Sequence, residues 1–211
     1  METFQNIQLE ELSDKMTDQT HLYRVVLIGD SSVGKTSILN QLQTNSFDPN
    51  ENTTIGAMFI LHAEAVDPQT IVEMQIWDTA GQEKFKSLGP IYYRNSAAAI
   101  CVFDLTRKDS WLHVDKWIEA FRSTAGGNSI IFIAGNKVDL DDSRQVSKEE
   151  IQHWVEEKKY NYYETSAATG QNIATIFHEL ATILYQKSPV SYPIPKSKQE
   201  KPPEEPKSMC C

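Results

Sequence analysis

The chain has 211 residues and a formal net charge of −9. This length suits one domain with tails, and the acidity disfavours nucleic acid as a partner because like charges repel. The sequence has no apolar run near the roughly 18 residues that a membrane span needs and no apolar leader core at its N-terminus. Glu2 stands where N-myristoylation requires glycine. We therefore expect a protein made and kept in the cytosol.

The predicted elements describe one alternating α/β domain over residues 21–186, after a flexible acidic extension at 1–20. We predict strands at 22–28, 57–66, 71–77, 97–103, 129–135 and 161–165, and helices at 35–43, 83–94, 110–124, 147–158 and 171–186. The turn pair Asp67-Pro68 predicts an antiparallel hairpin between the second and third strands. The remaining alternation predicts a mostly parallel sheet with helices on both faces, which binds ligands beyond its C-terminal strand edges.

The stretch between the first strand and the first helix, Gly29–Thr36, fits the pattern G-x-x-x-x-G-K-[ST] of a phosphate-binding loop. In such a loop, backbone N–H groups and a helix N-terminus converge on a phosphate. Lys35 would supply a charge for the β- and γ-phosphates and Thr36 a hydroxyl for Mg²⁺. The residues that we expect around the phosphates are Asp30, Ser31, Ser32, Val33, Gly34, Lys35, Thr36 and Ser37.

A second motif, Trp77–Glu83, follows the predicted strand 71–77. Asp78 at the strand end can hold Mg²⁺ directly or through water. Gly81 can present an N–H to a γ-phosphate, and Gln82 can orient a water for in-line attack. A lone Asp-x-x-Gly is better explained by a simple turn, but the phosphate loop upstream favours the catalytic interpretation.

Two further motifs follow the last two strands. In Asn136-Lys137-Val138-Asp139, the Asp139 carboxylate can accept hydrogen bonds from N1–H and N2–H₂ of guanine, a donor pair that adenine lacks. In Glu164–Ala167, the backbone N–H of Ala167 can meet guanine O6. Either motif taken alone could be a polar loop end.

In this order and spacing, the four motifs resemble those of the Ras superfamily of small GTPases, over about residues 22–186. The resemblance implies a three-layer α/β sandwich of the P-loop NTPase type, with five helices and a six-stranded, mostly parallel sheet that has one antiparallel strand. It implies GTP and GDP as ligands, Mg²⁺ as cofactor and catalysis by Gln82, Lys35, Thr54 and Gly81. The implied metal ligands are Thr36, Thr54 and Asp78. The implied nucleotide contacts beyond the phosphate loop are Phe47, Thr54, Gly81, Asn136, Lys137, Asp139, Ser166, Ala167 and Ala168, the last of which stands where relatives usually carry lysine.

Within that superfamily the sequence is most similar to the Rab branch, and within it to the early-endocytic Rabs. The stretches that carry this similarity are Ile55–Phe59, Gln75–Phe85 and Tyr92–Arg94. Phe59, Trp77 and Tyr92 match the aromatic trio with which Rabs meet effectors, although aromatic residues also serve plain core packing. The resemblance implies a monomeric switch in vesicle and endosomal traffic. Its implied protein partners are an exchange factor, a GTPase-activating protein, effectors, a GDP-dissociation inhibitor and the Rab prenylation machinery.

The end of the chain is rich in proline over 187–211 and closes on Cys210-Cys211. Such a composition predicts a disordered tether. The double cysteine is similar to the ending of Rabs that receive a geranylgeranyl group on each sulfur. Two lipids anchor a protein far better than one, so we expect residence on the cytoplasmic face of an intracellular membrane, such as the early endosome, with cycling through the cytosol.

Two alternatives stay open at this point. A P-loop kinase or ATPase would share the phosphate loop but should lack the Asn136–Asp139 motif. A binding module that holds nucleotide without hydrolysing it would be expected to lack Gln82 or Thr54, and both are present. A competition between GTP and ATP separates the first alternative, and a hydrolysis time course separates the second.

Overall fold

The computed structural model describes residues 21–51, 54, 57–79 and 89–187. Its strands are His21–Ile28 (β1), Ala57–Asp67 (β2), Thr70–Thr79 (β3), Ala98–Asp104 (β4), Ile130–Asn136 (β5) and Asn161–Thr165 (β6). Its helices are Lys35–Thr44 (α1), Gly89–Tyr93 (α2), Lys108–Leu112 (α3), Val114–Ala125 (α4), Lys148–Lys158 (α5) and Ile173–Lys187 (α6), with a 3₁₀ helix at Val138–Ser143. None of the helices in these ranges is long and apolar enough to cross a membrane.

The strands form one six-stranded sheet in the order β2-β3-β1-β4-β5-β6. β2 runs antiparallel to β3, and every other neighbouring pair is parallel. The β2–β3 turn is closed by a hydrogen bond from the Gln69 N–H to the Asp67 carboxylate at 2.8 Å, as turns that begin with aspartate often are. The predicted hairpin and the predicted mixed sheet are therefore confirmed.

Two hydrophobic clusters cover the two faces of the sheet, which makes the three predicted layers. On one face α1 and α6 pack through side chains such as Ile38 and Phe177, and on the other face α4 and α5 pack through side chains such as Phe121 and Ile151. Because both faces are covered, every residue of β4 and β5 is buried. Cys101 of β4 is fully buried, and burial raises the pKa of its thiol, so the expected core thiol is confirmed.

The helices differ from the prediction in three places. The predicted helix 110–124 is two helices, α3 and α4, which meet at His113. The predicted helix 171–186 begins only at Ile173, because Asn172 has a left-handed backbone with a φ of 57°. Of the predicted helix 83–94, the described part forms a helix at Gly89–Tyr93, and its start lies outside the described residues. The structure thus has six α-helices in its described ranges, where five were expected.

Candidate functional site

All four sequence motifs lie at one edge of the sheet, at the carboxyl ends of its parallel strands. β1, β3, β4, β5 and β6 run parallel, so their carboxyl ends lie on the same side. β1 continues into the phosphate loop, β3 ends with Asp78 and Thr79, β5 continues into Lys137 and β6 into Ser166. The fold alone therefore brings together residues that are far apart in sequence.

Two glycines let the phosphate loop pass close to the neighbouring strands. Gly29 and Gly34 have positive φ values of 138° and 97°. A Cβ on Gly29 would lie 2.1 Å from the Val102 backbone oxygen, and one on Gly34 would lie 2.3 Å from Asn136 Nδ2. Only glycine fits at either position, so the pattern's two glycines have a structural cause.

Lys35 folds back over the loop that precedes it. Its Nζ donates to the backbone oxygens of Gly29 at 2.9 Å and Asp30 at 2.7 Å. Burial lowers the pKa of Lys35 to about 8, although the nearby Asp78 and Asp30 carboxylates act in the opposite direction. An anionic phosphate in this position would favour the charged form of the lysine.

The next stretch of the loop is held by the Asn136–Asp139 motif. Asn136 Nδ2 donates to the backbone oxygen of Val33 at 2.9 Å, and Lys137 Nζ donates to that of Ser32 at 3.1 Å. Lys137 is itself paired with the buried Asp104 carboxylate at 2.6 Å. Both residues therefore support the loop that would bind phosphate, beyond the base-side role expected of them from the sequence.

The three predicted metal ligands converge. Thr36 Oγ1 donates to Asp78 Oδ2 at 2.6 Å, Thr54 Oγ1 lies 3.3 Å from the same oxygen, and the two hydroxyl oxygens are 2.6 Å apart. The other Asp78 oxygen, Oδ1, is buried with no hydrogen-bond partner among the described residues. Burial raises the pKa of Asp78 against the lowering effects of the Thr36 hydrogen bond and the Lys35 charge.

This oxygen set fits a magnesium ion. Mg²⁺ takes one or two carboxylates with hydroxyls, waters and substrate phosphates, rather than a cage made wholly of protein carboxylates. The described residues contain no group of three or more His, Cys, Asp and Glu side chains that could hold a metal ion. A buried carboxylate oxygen without a partner is the kind of atom that a cation would satisfy.

The predicted base-side residues also lie together. Ser166 Oγ donates to Asp139 Oδ1 at 2.5 Å, which fixes that carboxylate at the end of β6. Asn136 Oδ1 accepts hydrogen bonds from Thr165 Oγ1 and from the Ala167 N–H, each at 3.2 Å. The N–H that was expected to meet guanine O6 therefore has a protein partner here, and a base would have to share that bond or displace it.

A cavity of about 320 Å³ opens along this edge. The predicted residues that line it are Ser31, Ser32, Gly34, Lys35, Thr36, Ser37, Phe47, Thr54 and Lys137. Phe47 is 43% exposed, so its ring is available to a ligand. Ala168 is exposed beside the base-side residues. Gly81 and Gln82 lie outside the described residues.

A second set of contacts that supports the loop was not predicted from the sequence. The Asp30 carboxylate accepts a hydrogen bond from Trp117 Nε1 at 2.8 Å and lies 2.8 Å from His113 Nδ1, and the predicted nucleotide contact of Asp30 stays a prediction. The contribution of Asp104, which pairs with Lys137, could have been predicted, because Asp104 stands at the end of a buried strand as the motif residues do. No local pattern marks Arg107, which also reaches the loop.

The aromatic trio forms a row on another surface. Phe59 of β2, Trp77 of β3 and Tyr92 of α2 have adjacent ring centroids 5.0 and 5.3 Å apart. Trp77 and Tyr92 also pack against a core cluster, whereas contact of the trio with effectors stays a prediction. Leu61 of β2 and Ile91 of α2 are 61% and 65% exposed.

The comparisons with known proteins agree with the fold and site. A model of the Ras family matches residues 24–186, so the chain belongs to the Ras family. It is 41% identical over 170 residues to Ras-related protein RHN1 of Nicotiana plumbaginifolia and to Ras-related protein RABF2a of Arabidopsis thaliana, in each case over 81% of this chain and 84% of the relative. It is 37% identical over 188 residues to Ras-related protein Rab5 of Nicotiana tabacum, over 89% of this chain and 94% of the relative.

These similarities place the chain in the Rab branch, with relatives of the early-endocytic type among them. It is a Rab-type GTPase, an enzyme that binds guanine nucleotide and hydrolyses GTP to GDP and phosphate. Proteins of this type recruit effectors in the GTP state and regulate membrane traffic. The expected family, fold class and activity are thereby confirmed, whereas the roles of individual residues stay predictions.

Proposed function

We propose that this Rab-type GTPase switches between GDP and GTP at the C-terminal sheet edge, with Mg²⁺ held there by Thr36, Thr54 and Asp78. One observation carries the proposal most strongly: three oxygens from three separate elements meet beside the phosphate loop, and the remaining Asp78 oxygen is buried without a partner. The ion, when bound, would neutralise charge on the terminal phosphates.

The phosphates would lie against the loop and Lys35. The loop amides and Lys35 Nζ are the donors, and Lys35 would exchange its present bonds to Gly29 and Asp30 for phosphate oxygens. Thr54 approaches Thr36 from a different part of the chain. A γ-phosphate would therefore favour the closed position of the segment that carries Thr54, which is how phosphate loss releases a switch.

The guanine base would lie between Phe47 and the base-side residues. Asp139, held by Ser166, would accept the two guanine donors, and Ala167 would offer its N–H to O6. Asn136 and Lys137 would connect this pocket with the phosphate loop. Ala168 in place of a longer side chain would leave one side of the base less covered.

Hydrolysis would need a water aimed by Gln82 and an N–H from Gly81 at the γ-phosphate, as the sequence motif predicts. Catalysis would come from positioning and charge stabilisation without a covalent intermediate. We expect slow hydrolysis by the protein alone and an acceleration of up to about 10⁵-fold when an activating protein supplies an arginine.

The wider cycle follows from family and sequence. We propose regulation by an exchange factor, a GTPase-activating protein and a GDP-dissociation inhibitor, with effectors docking on Phe59, Trp77 and Tyr92. Geranylgeranyl groups on Cys210 and Cys211 would hold the protein at an endosomal membrane. Both cysteines lie outside the described residues, as do the proposed flexible ends 1–20 and 187–211 except for Lys187.

A single-turnover hydrolysis assay tests the proposed chemistry. Protein loaded with GTP and Mg²⁺ should release phosphate slowly, and excess ATP should not displace the GTP. Gln82→Leu should keep GTP bound and slow the release, whereas Gln43→Leu on the exposed side of α1 should not. Equal rates for wild type and Gln82→Leu would exclude Gln82 as the water-positioning group. Displacement of GTP by ATP would exclude a guanine-specific site.

A further inference from the structure

Arg107, a cation outside the four motifs, donates a hydrogen bond to the backbone of the phosphate loop. Its Nη2 donates to the backbone oxygen of Ser31 at 2.8 Å, across 76 positions of sequence. The next two carbonyls of the loop, those of Ser32 and Val33, are held by Lys137 and Asn136. Arg107 therefore completes a row of side chains that occupy successive loop carbonyls.

Holding a carbonyl also sets the direction of an N–H. In a trans peptide the C=O of one residue and the N–H of the next point in opposite directions. A donor that keeps the Ser31 carbonyl directed to one side of the loop therefore turns the Ser32 N–H to the other side. The loop must present such N–H groups together if it is to bind a phosphate.

The peptide that Arg107 holds directly precedes Ser32, whose backbone has a positive φ although it carries a Cβ. Ser32 has a φ of 62°, in the left-handed region that residues with a Cβ seldom adopt. Such conformations persist only where the surroundings hold them. Arg107 acts on the carbonyl immediately before Ser32 and Lys137 on the Ser32 carbonyl itself, so two cations flank the bend.

Arg107 is in turn well fixed. Its backbone N–H donates to the Asp104 oxygen at 3.0 Å, and its own oxygen accepts from Ser110 Oγ at 2.7 Å. The Asp104 carboxylate is the group that pairs with Lys137. One buried aspartate at the end of β4 thus organises both cations that support the loop.

We propose that Arg107 is a positioning residue for nucleotide binding, which keeps the Ser32 N–H directed at the phosphate site. The inference rests on the proposed nucleotide site. Arg107 does not contact the nucleotide in this role and acts through the Ser31 carbonyl. The guanidinium also adds positive potential beside the loop.

The test is the release rate of a fluorescent GDP analogue from the full chain with Mg²⁺ present. Arg107→Ala should release it about tenfold faster than wild type, because the Ser32 N–H is then no longer held toward the phosphate. Arg107→Lys, which keeps charge and donors, should restore part of the retention. Lys108→Ala, which removes the neighbouring ion pair to Glu150, should leave the rate unchanged.

A second readout separates positioning from mere stability. The ³¹P resonance of the bound β-phosphate should shift in Arg107→Ala and not in Lys108→Ala, since the first alone alters the loop amides. Unchanged release and an unchanged resonance in Arg107→Ala would overturn the inference. A faster release would also overturn the inference if Arg107→Ala merely lowered the melting temperature of the nucleotide-free protein and Arg107→Lys did not restore nucleotide retention. Failure of wild type to bind GDP would instead overturn the proposed nucleotide site.

Discussion

The phosphate edge is the end of the sheet where the four motifs lie, and the aromatic surface is formed by Phe59, Trp77 and Tyr92. The two regions differ in whether their functional groups are buried within the chain or exposed. At the phosphate edge the polar groups are buried, with Lys35 6%, Asp78 0% and Asn136 1% exposed, and almost all are held by hydrogen bonds within the chain. On the aromatic surface Phe59 and Leu61 are 47% and 61% exposed. The first region is preorganised by the fold itself, whereas the second presents apolar area that only a partner can bury.

Removal of Lys35 should have the largest effect on the phosphate edge. Lys35→Ala loses the charged donor nearest the loop, and we expect nucleotide affinity to fall roughly 10²- to 10⁴-fold, for two charge-assisted hydrogen bonds. Equilibrium titration with a fluorescent GDP analogue measures the change. Lys148→Ala, an exposed lysine at the start of α5, is the matched control, and equal affinities for the two variants would contradict the assigned role.

Asp139→Asn should change which base binds rather than how phosphate binds. The carboxylate that accepts two guanine donors becomes an amide that offers one donor and one acceptor, so the preference for GTP over xanthosine triphosphate should fall by about 10²-fold or more. A competition assay between the two nucleotides gives the ratio. Asp142→Asn, exposed three residues further on, should keep the wild-type preference. A variant at Asp139 that still excludes xanthine would refute the contact.

Phe59→Ala should separate the two regions. We expect about a tenfold loss of affinity for a GTP-state effector, the usual cost of truncating an interfacial aromatic, with no change in GDP release. Pull-down with an endosomal effector, alongside the release assay, measures both. Leu112→Ala, another exposed apolar residue on α3, should affect neither. Faster GDP release in Phe59→Ala would show that the two regions are not independent.

The smallest expected effect concerns Glu64, which connects β2 with α6. Glu64 accepts from His62 at 2.8 Å and faces His178 of α6 at 3.3 Å. Burial acts to raise the pKa of Glu64, but hydrogen bonds and charge from the two histidines outweigh it and lower that pKa.

A lowered carboxyl pKa contributes stability above the unfolded-state value and loses it as the pH falls through the folded-state value. Glu64→Gln should therefore be less stable than wild type near neutral pH, and the difference should vanish in acid, below the ordinary glutamate range. Urea unfolding at both pH values gives the comparison. A difference that persists or grows in acid would mean that the histidine contacts are not what holds the carboxylate.

Only part of the phosphate edge could be predicted from the sequence. The phosphate loop, Asp78 and the Asn136–Asp139 motif were predictable because each chemistry needs fixed residue types directly after a strand. The contacts of Arg107 with Ser31 and of Asp30 with Trp117 were not, because each joins residues more than 70 positions apart that carry no local pattern. The break at His113 and the left-handed Asn172 likewise carry no local pattern; His113 Nδ1 lies 2.8 Å from Asp30 Oδ2, and Asn172 Nδ2 donates to the Glu164 oxygen at 2.7 Å.

If Thr36, Thr54 and Asp78 form a magnesium site that retains guanine nucleotide, removal of the ion should release the nucleotide. The release rate of fluorescent GDP can be measured with Mg²⁺ and after chelation, in wild type and in Asp78→Asn. We expect chelation to accelerate release from wild type at least tenfold and to have little further effect on Asp78→Asn, which should release rapidly in both conditions. Release that ignores chelation in wild type, or that responds equally in the variant, would contradict the proposed magnesium site.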